Sequence, residues 1–224
     1  MKKSVFFVMF LALLLGASVS FAGQQPDKLR VQILSPTQPV SIYCIPDGSG
    51  NPLTTAFAYG GGIVDGTVSV RLTFAPSGVP VSGVLAEDIL LVPGGNAYHL
   101  CGADGAVCGT GATDNEGNIY LTGPIAGGGY AEPGDGARVE VDTRYLNRRY
   151  RATSAPFPLY MNSADINGDG VVDILDVVTM AGDKAKLYDE GVYSYRSDLN
   201  WDGEIDQTDA DMLGDAYGRA CVAE

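Results

Sequence analysis

Hydrophobic and polar residues alternate with a period of two through much of the first 155 residues. The clearest run is residues 68–74, in which four apolar residues alternate with three polar ones. Successive side chains of a β-strand point to opposite faces of a sheet, so this alternation is typical of a half-buried antiparallel strand. Further strands are predicted for residues 29–33, 40–45, 86–92, 119–122 and 137–141. About seven short strands, separated by turns rich in glycine and proline, predict a β-sandwich.

The periodicity changes after residue 162. Apolar residues at 177, 178, 180 and 181 predict one side of a short helix, and those of residues 210–216 predict a last helix. Between the two patterns, residues 156–160 alternate proline with bulky apolar residues and predict a stiff junction. The second part is about 60 residues long and buries little apolar surface, so it is expected to need another source of stability.

The start of the chain has the pattern of a secretory signal peptide. Lys2 and Lys3 precede an apolar run over residues 5–15, and small residues lie at Ser20 and Ala22. The run is too short to span a membrane comfortably, and no other stretch is predicted to do so. We expect a secreted or cell-surface protein. The predicted organisation is a signal peptide at 1–22, an immunoglobulin-like sandwich at 23–155, a junction at 156–162 and a second module at 163–224.

The most specific signal is a repeated acidic loop of twelve residues, at residues 165–176 (loop one) and 198–209 (loop two). Both loops carry Asp, Asn, Asp, Gly, Asp and Asp at positions one, three, five, six, nine and twelve. This spacing alternates oxygen ligands around a calcium ion, with glycine allowing the sharp turn. Position eight is aliphatic in both loops, Val172 and Ile205, which suggests that the loops pair through a short backbone bridge.

Each loop offers six oxygen ligands. The predicted ligands of loop one are the side chains of Asp165, Asn167, Asp169, Asp173 and Asp176, with the carbonyl of Val171. Those of loop two are the side chains of Asp198, Asn200, Asp202, Asp206 and Asp209, with the carbonyl of Glu204. The absence of thiol and imidazole in either set argues against zinc or copper, and magnesium demands a tighter octahedron. We therefore predict two structural calcium ions; the alternative is a pair of ordinary Asp-Asn-Gly turns.

The two loops, each followed by a predicted helix, resemble the dockerin type I module over residues 163–221. The resemblance implies two calcium loops of EF-hand type and binding to a cohesin. Position twelve is aspartate, as in dockerins, where an EF-hand has glutamate. At positions ten and eleven, which read the partner in dockerins and are often Ser-Thr, the chain has Ile174-Leu175 and Gln207-Thr208. Calcium ligation therefore carries over better than cohesin binding.

The sandwich part resembles bacterial immunoglobulin-like repeats of the invasin type. The resemblance rests on a Gly-x-Pro-Val-x-Gly turn within residues 77–83 and a Thr-Asp-x-x-Gly turn with its strand at residues 113–122. It implies a stalk, spacer or binding role. The predicted fold class is mainly β: an N-terminal immunoglobulin-like β-sandwich, followed by a small α-helical dockerin-like module with two EF-hand-type calcium loops.

Charge and cysteine content narrow the class of protein. The net charge of −13 and the pI near 4.3 argue against nucleic-acid or anionic-membrane partners. A basic cluster within residues 144–151 is interpreted as a solvated strand edge, with a partner-binding patch as the alternative. The even number of cysteines in an exported chain favours disulfides. A local Cys101–Cys108 bridge, leaving Cys44 and Cys221 to join the two parts, is one of three connectivities; the alternative is four free thiols.

No catalytic set is visible in the sequence. His99 is the only histidine, and the chain has no nucleophile elbow, phosphate loop or HExxH motif. The leading hypothesis is a non-catalytic calcium-binding protein for extracellular attachment or assembly, with a cohesin-like or other extracellular protein as partner. The second is a rigid surface or matrix subunit that binds no cohesin and self-assembles. The third is a carbohydrate-binding or polysaccharide-degrading accessory protein.

Overall fold

A computed structural model of the protein describes residues 28–101 and 109–222. The predicted signal peptide and Cys108 lie outside these residues. Within the described ranges the strands are β1 (Lys28–Ser35), β2 (Val40–Cys44), β3 (Ala56–Phe57), β4 (Ile63–Val64), β5 (Val68–Ala75), β6 (Ile89–Val92), β7 (Tyr98–Leu100), β8 (Asn118–Leu121), β9 (Gly127–Ala131), β10 (Arg138–Tyr145), β11 (Arg148–Thr153) and β12 (Leu159–Ser163). The helices are α1 (Ile174–Glu190) and α2 (Gln207–Ala216), with short 3₁₀ helices at Leu53–Thr55, Ala86–Asp88 and Tyr195–Ser197.

The described strands form three sheets. Two are three-stranded, in the orders β1-β5-β8 and β11-β10-β6, and the third has the order β4-β3-β2-β12-β9-β7. β2 and β12 run parallel, with Leu159 opposite Val40 and Ser163 opposite Cys44, whereas the neighbouring pairs of this sheet are antiparallel. Every residue of β2 and of β12 is buried. The segment predicted as a junction is therefore a central strand of the largest sheet.

The alternating apolar residues of the strands fill the first core. Its largest fully buried side chains include Ile42, Leu72, Leu91, Leu121 and Met161, which come from β2, β5, β6, β8 and β12. The sheets thus bury their apolar faces against one another, as in a β-sandwich. In the described part of the chain, no helix is both long enough and apolar enough to cross a membrane.

A second core joins the helices to the six-stranded sheet. Tyr43, Phe57 and Tyr160 from the sheet pack with residues of the loops and helices, including Trp201 and Leu213. The Trp201 ring meets the edge of Tyr160 at a centroid distance of 5.8 Å, and the Tyr43 hydroxyl donates a hydrogen bond to the carbonyl of Met212 at 2.8 Å. The two helices do not enclose a core of their own.

The predicted fold class, a sandwich followed by a separate α-helical dockerin-like module with EF-hands, is wrong. Among the described residues the chain is mainly β, with three sheets and only two α-helices. A helix follows each loop as expected, but the two helices form no module of their own, because they share their core with Tyr43, Phe57 and Tyr160 of the six-stranded sheet. The physical reason is burial: two short helices offer too little apolar surface for an independent core and share one with the sheet.

The disulfide pairing also differs from the local bridge considered above. Cys101, just after β7, is bonded to Cys221 near the end of the described residues. Cys44 is fully buried in β2, with its thiol 3.7 Å from the carbonyl of Ile42. The covalent tie therefore fastens the C-terminal segment to the edge of the six-stranded sheet.

Candidate metal centres

The two acidic loops have the same backbone course. Position six is a glycine in the left-handed region in both, with φ of 94° at Gly170 and 95° at Gly203. Position four is left-handed as well, at Gly168 (φ 75°) and Trp201 (φ 54°). The Trp201 conformation is rare for a bulky residue, and edge contacts with Tyr59, Tyr160 and Tyr195 hold the ring.

The first-position carboxylates organise their loops through backbone hydrogen bonds. Asp165 accepts bonds from the N–H of Asp169 at 3.1 Å and of Gly170 at 2.8 Å. Asp198 accepts the equivalent bonds from positions five and six of loop two at the same distances, 3.1 and 2.8 Å. Each loop is thus wrapped around its first carboxylate in the same way.

The last two acids of each loop also begin the following helix. Asp173 and Asp206 are the N-caps of α1 and α2, and their own N–H groups donate to Asp176 and Asp209 at 2.8 Å in both cases. Such reciprocal capping boxes explain these four acids without any metal. They do not explain the burial of the first-position carboxylates, so capping alone is an incomplete account.

Four carboxylates of the loops are completely buried: Asp165, Asp176, Asp198 and Asp209. Burial raises the pKa of all four, in Asp209 to about 6, and neighbouring loop carboxylates raise it further. Within the described ranges, none of them forms an ion pair with a lysine or arginine. Buried negative charge without a cationic partner is costly, and a bound cation is the direct way to offset it.

The other ligand positions face solvent to different degrees. Asn167, Asp169 and Val171 are exposed in loop one, whereas in loop two Asn200 is buried and Glu204 is exposed. In the described part of the chain, no group of three or more His, Cys, Asp or Glu side chains is arranged so as to hold a metal ion. The oxygens are engaged by protein donors instead; the amides at position three, for example, donate to the carboxylates at position five at 2.9 and 2.8 Å.

The chemistry of the donors nevertheless fits calcium. Each loop combines carboxylate, amide and backbone carbonyl oxygens, which are the ligands of a hard cation. The carboxylates at the first and twelfth positions are buried and fixed. Among the described residues, the side chains at the third and fifth positions form hydrogen bonds only with each other and with the loop backbone. Rotation of the side chains at the third and fifth positions would bring their oxygens toward an ion.

Strand β12 holds both loops. Loop one continues from its end, and the N–H of Asp165 donates to the hydroxyl of Ser163 at 3.2 Å. The buried amide of Asn162 donates to the carbonyls of Tyr195 and Asp198 at 2.7 and 2.8 Å, which fixes the start of loop two. The local pattern of residues 156–162, predicted as a junction, does not indicate this role, because Asn162 meets partners 33 and 36 positions away in sequence.

Two further contacts lie around loop two. Asp183 of α1 is buried and accepts hydrogen bonds from Arg196 at 2.7 and 2.9 Å and from Ser197 at 2.7 Å. Burial alone would raise the pKa of Asp183, but these donors outweigh it and hold the pKa below its usual value. The Tyr193 hydroxyl donates to Asp198 at 2.7 Å. Together they tie α1 to the segment that enters loop two.

The expected bridge between position eight of the two loops is replaced by another pairing. The N–H of Val172 donates to the carbonyl of Arg219, and its carbonyl accepts from the N–H of Gly218, both at 2.8 Å. The N–H of Cys221 donates to the carbonyl of Gly170 at 2.8 Å. Loop one therefore pairs with the C-terminal segment that the disulfide fastens to the sheet, rather than with Ile205.

Two runs of three glycines in the β part, at residues 60–62 and 127–129, contact the two loops. The N–H of Gly129 in β9 donates to the carbonyl of Asp165 at 2.6 Å. The N–H groups of Gly60 and Gly61 donate to the carbonyl of Trp201 at 2.9 and 3.2 Å. The glycine runs themselves are visible in the sequence, but their contacts with the loops are not, because each contact joins segments that are far apart along the chain.

His99 also lies near loop one. It is exposed on β7, and a β-carbon built at Gly168 would lie 3.3 Å from its ring.

Comparison of the chain with protein-family models, with curated proteins and with solved structures finds no match. The resemblances to dockerins and to invasin-type repeats therefore stay predictions made from the residues, and the functional interpretation depends on the geometry of the two loops.

Proposed function

We propose that this chain is a secreted, non-catalytic protein in which loop one and loop two each bind one structural calcium ion. The observation that carries the proposal is the pair of buried carboxylates at the first and twelfth positions of each loop, which are held alike and, among the described residues, form no ion pair with a lysine or arginine. A chain gains nothing from burying four such charges unless something offsets them. A divalent ion that prefers oxygen ligands does so at both places.

The residues of the chain would act as follows. The first and twelfth carboxylates are fixed in advance by backbone hydrogen bonds, so they would bind with little loss of side-chain entropy. The third and fifth side chains would turn inward, and the carbonyls of Val171 and Glu204 would complete the set. Calcium itself supplies the positive charge that allows these oxygens to approach one another.

We further infer that calcium serves a rigid structural unit. The helices share their core with Tyr43, Phe57 and Tyr160 of the six-stranded sheet, and β12 is at once a central strand and the support of both loops. This arrangement favours the role of a rigid extracellular or surface subunit over that of a detachable attachment module. Calcium would then hold the helical segment on the sheet.

Calorimetric titration of the mature chain with calcium tests the proposal. We expect two sites in the wild-type protein. Asp165→Ala and Asp198→Ala should each remove one site and lower the melting temperature in calcium, because each deletes the carboxylate around which its loop is wrapped.

Asp189→Ala is the matched control, since Asp189 is an exposed aspartate of α1 outside both loops. It should retain two sites and the wild-type melting temperature. Absence of calcium uptake by the wild-type chain, or two intact sites in both loop variants, would contradict the proposed function.

A further inference from the structure

The glycine runs contact the loops more closely than hydrogen bonding requires. A β-carbon built on Gly128 would lie 1.9 Å from Oδ2 of Asp165 and 2.7 Å from its carboxyl carbon. A β-carbon on Gly61 would lie 2.9 Å from the β-carbon of Asp202. Both aspartates are predicted calcium ligands, at position one of loop one and position five of loop two. The β part therefore reaches the ligand side chains themselves.

The two contacts come from opposite sides of the six-stranded sheet. Gly128 lies in β9, which pairs with β7 and β12 in the six-stranded sheet. Gly61 lies in the turn between β3 and β4 at the other edge of that sheet. One sheet thus places a residue without a side chain against each loop. Close approach at a glycine is common in this chain, as at Gly94 and Gly117, but those two glycines meet backbone atoms, whereas Gly128 and Gly61 meet side chains of predicted ligands.

The carboxylate of Asp165 has little freedom to move away from a new side chain. It is fully buried, and three backbone N–H groups, those of Gly168, Asp169 and Gly170, donate to it. A contact of 1.9 Å is far inside the closest approach of real β-carbons. A methyl group at position 128 must therefore push either β9 or the carboxylate out of place.

We propose that Gly128 and Gly61 are positioning residues for the two calcium sites. Each leaves the space in which a ligand aspartate is seated against the sheet, so the sites are built jointly by the acidic loops and the β part. This inference rests on the proposed function, because it concerns the same two sites. Its content is different: the loops alone do not define the sites, and site one and site two have separate supports.

The chain offers matched pairs of glycines for the test. Gly128 and Gly62 both lack a left-handed φ, but only Gly128 meets a ligand. Gly61 and Gly83 both have a left-handed φ, 77° and 79°, so alanine strains the backbone at either, but only Gly61 meets Asp202. Gly62→Ala and Gly83→Ala are therefore the controls for Gly128→Ala and Gly61→Ala.

The experiment is calcium calorimetry on the four full-chain variants, together with circular dichroism to establish folding. Fluorescence of Trp201, the single tryptophan and part of loop two, reports on site two by itself. We expect Gly128→Ala to weaken site one by about 10- to 100-fold and to leave the Trp201 titration unchanged. Gly61→Ala should weaken site two, including the Trp201 response, by a similar factor and leave site one intact. Neither control variant should measurably change the calcium affinity of either site.

The outcomes separate the inference from the proposed function. Failure of the wild-type chain to bind calcium overturns the proposed function. The inference alone is wrong if the wild-type chain binds calcium normally but Gly128→Ala and Gly61→Ala each weaken both sites equally, or weaken neither site. If Gly128→Ala does not fold, the comparison of Gly61→Ala with Gly83→Ala decides. If Gly128→Ala and Gly61→Ala both fail to fold while both controls fold, the two glycines serve packing only and the inference is wrong.

Discussion

At the scale of single residues, the chain treats its buried aspartates in two ways. Asp183 is paired with Arg196 and Ser197, and the pKa of its carboxyl lies below the usual value. Asp209, equally removed from solvent, accepts only backbone hydrogen bonds, and burial raises its pKa to about 6. The first is the ordinary solution for a buried charge. The second leaves a charge to be offset from outside the chain, which is why the two loops and not Asp183 are the candidate metal ligands.

The raised pKa of Asp209 predicts that calcium binding at loop two depends on pH. The folded protein keeps the Asp209 proton up to about pH 6, whereas an unfolded chain releases it near about pH 4. Without calcium, this group therefore stabilises the fold fully below about pH 4, and the contribution is lost as the pH rises through about 6. Calcium competes with that proton. We expect the affinity of site two to fall by up to about tenfold per pH unit below about pH 6, with protons released on binding.

Trp201 fluorescence titrations at about pH 5 and about pH 7.5 measure this dependence. Calorimetry in two buffers of different ionisation enthalpy counts the protons released. Equal affinities at the two pH values, with no proton release, would mean that Asp209 does not take part in binding.

At the scale of elements, the sequence pattern predicts the strands that alternate and misses those that do not. Residues 29–33 and 68–74 lie in β1 and β5 as expected, and residues 138–141 of the predicted strand 137–141 lie in β10. β9 contains three glycines in a row, which have low β-propensity, so no alternating pattern predicts this strand. Its neighbours β7 and β12 supply the pairing. β12 was interpreted as a junction because of its flanking prolines. Its strand character comes from a parallel partner far away in sequence, which no local pattern contains.

The same distinction applies to the candidate site. The ligand spacing is local and can be identified in the sequence, as can the capping acids that begin α1 and α2. The glycine contacts, the amide of Asn162 and the disulfide cannot, because each joins segments that only the fold brings together. Pairing of Val172 with Arg219 instead of Ile205 belongs to this second group.

The disulfide between Cys101 and Cys221 is expected to support loop one selectively. The C-terminal segment pairs with Gly170 and Val172 of loop one, and the disulfide, which joins residues 120 positions apart, holds that segment against the sheet. Cys101→Ser combined with Cys221→Ser should lower the free energy of unfolding by about 2–4 kcal/mol. It should also weaken calcium site one more than site two.

Calorimetry and Trp201 fluorescence on oxidised, reduced and doubly substituted protein measure this difference, with site two as the internal reference. A loss shared equally by the two sites would show that the disulfide acts only on global stability. A loss confined to site two would contradict the pairing seen in the structure.

At the scale of the whole molecule, the error in fold class has one physical source. Reading the acidic loops as a separate helical module assumes that the two helices can bury their own apolar faces. Several apolar residues of α1, including Ile174, Leu175 and Val178, are instead exposed. The buried apolar residues, such as Met180 of α1 and Leu213 of α2, belong to the core that contains Tyr43 and Tyr160 of the sheet. The helical segment is therefore completed by the β part, and its stability is not a local property.

The core that the helical segment shares with the six-stranded sheet predicts that the described chain unfolds as one unit. Loss of the helical segment would expose Tyr43, Phe57 and Tyr160 of the sheet, and loss of β12 would remove the support of both loops. Free calcium at about 100 times the dissociation constant stabilises each site by about 2.7 kcal/mol, or about 5 kcal/mol for two sites. For a chain of this size we expect calcium to raise the melting temperature by about 10–20 °C.

Far-ultraviolet circular dichroism follows the whole fold during heating, and Trp201 fluorescence follows the helical segment in the same sample. With saturating calcium the two signals should give one coincident transition, and a chelator should move both to lower temperature together, because the helical segment and the sheet share one core. Asp189→Ala should reproduce the wild-type shift. The prediction is wrong if calcium raises the transition temperature measured by fluorescence but not the one measured by circular dichroism. The helical segment and the sheet would then unfold independently.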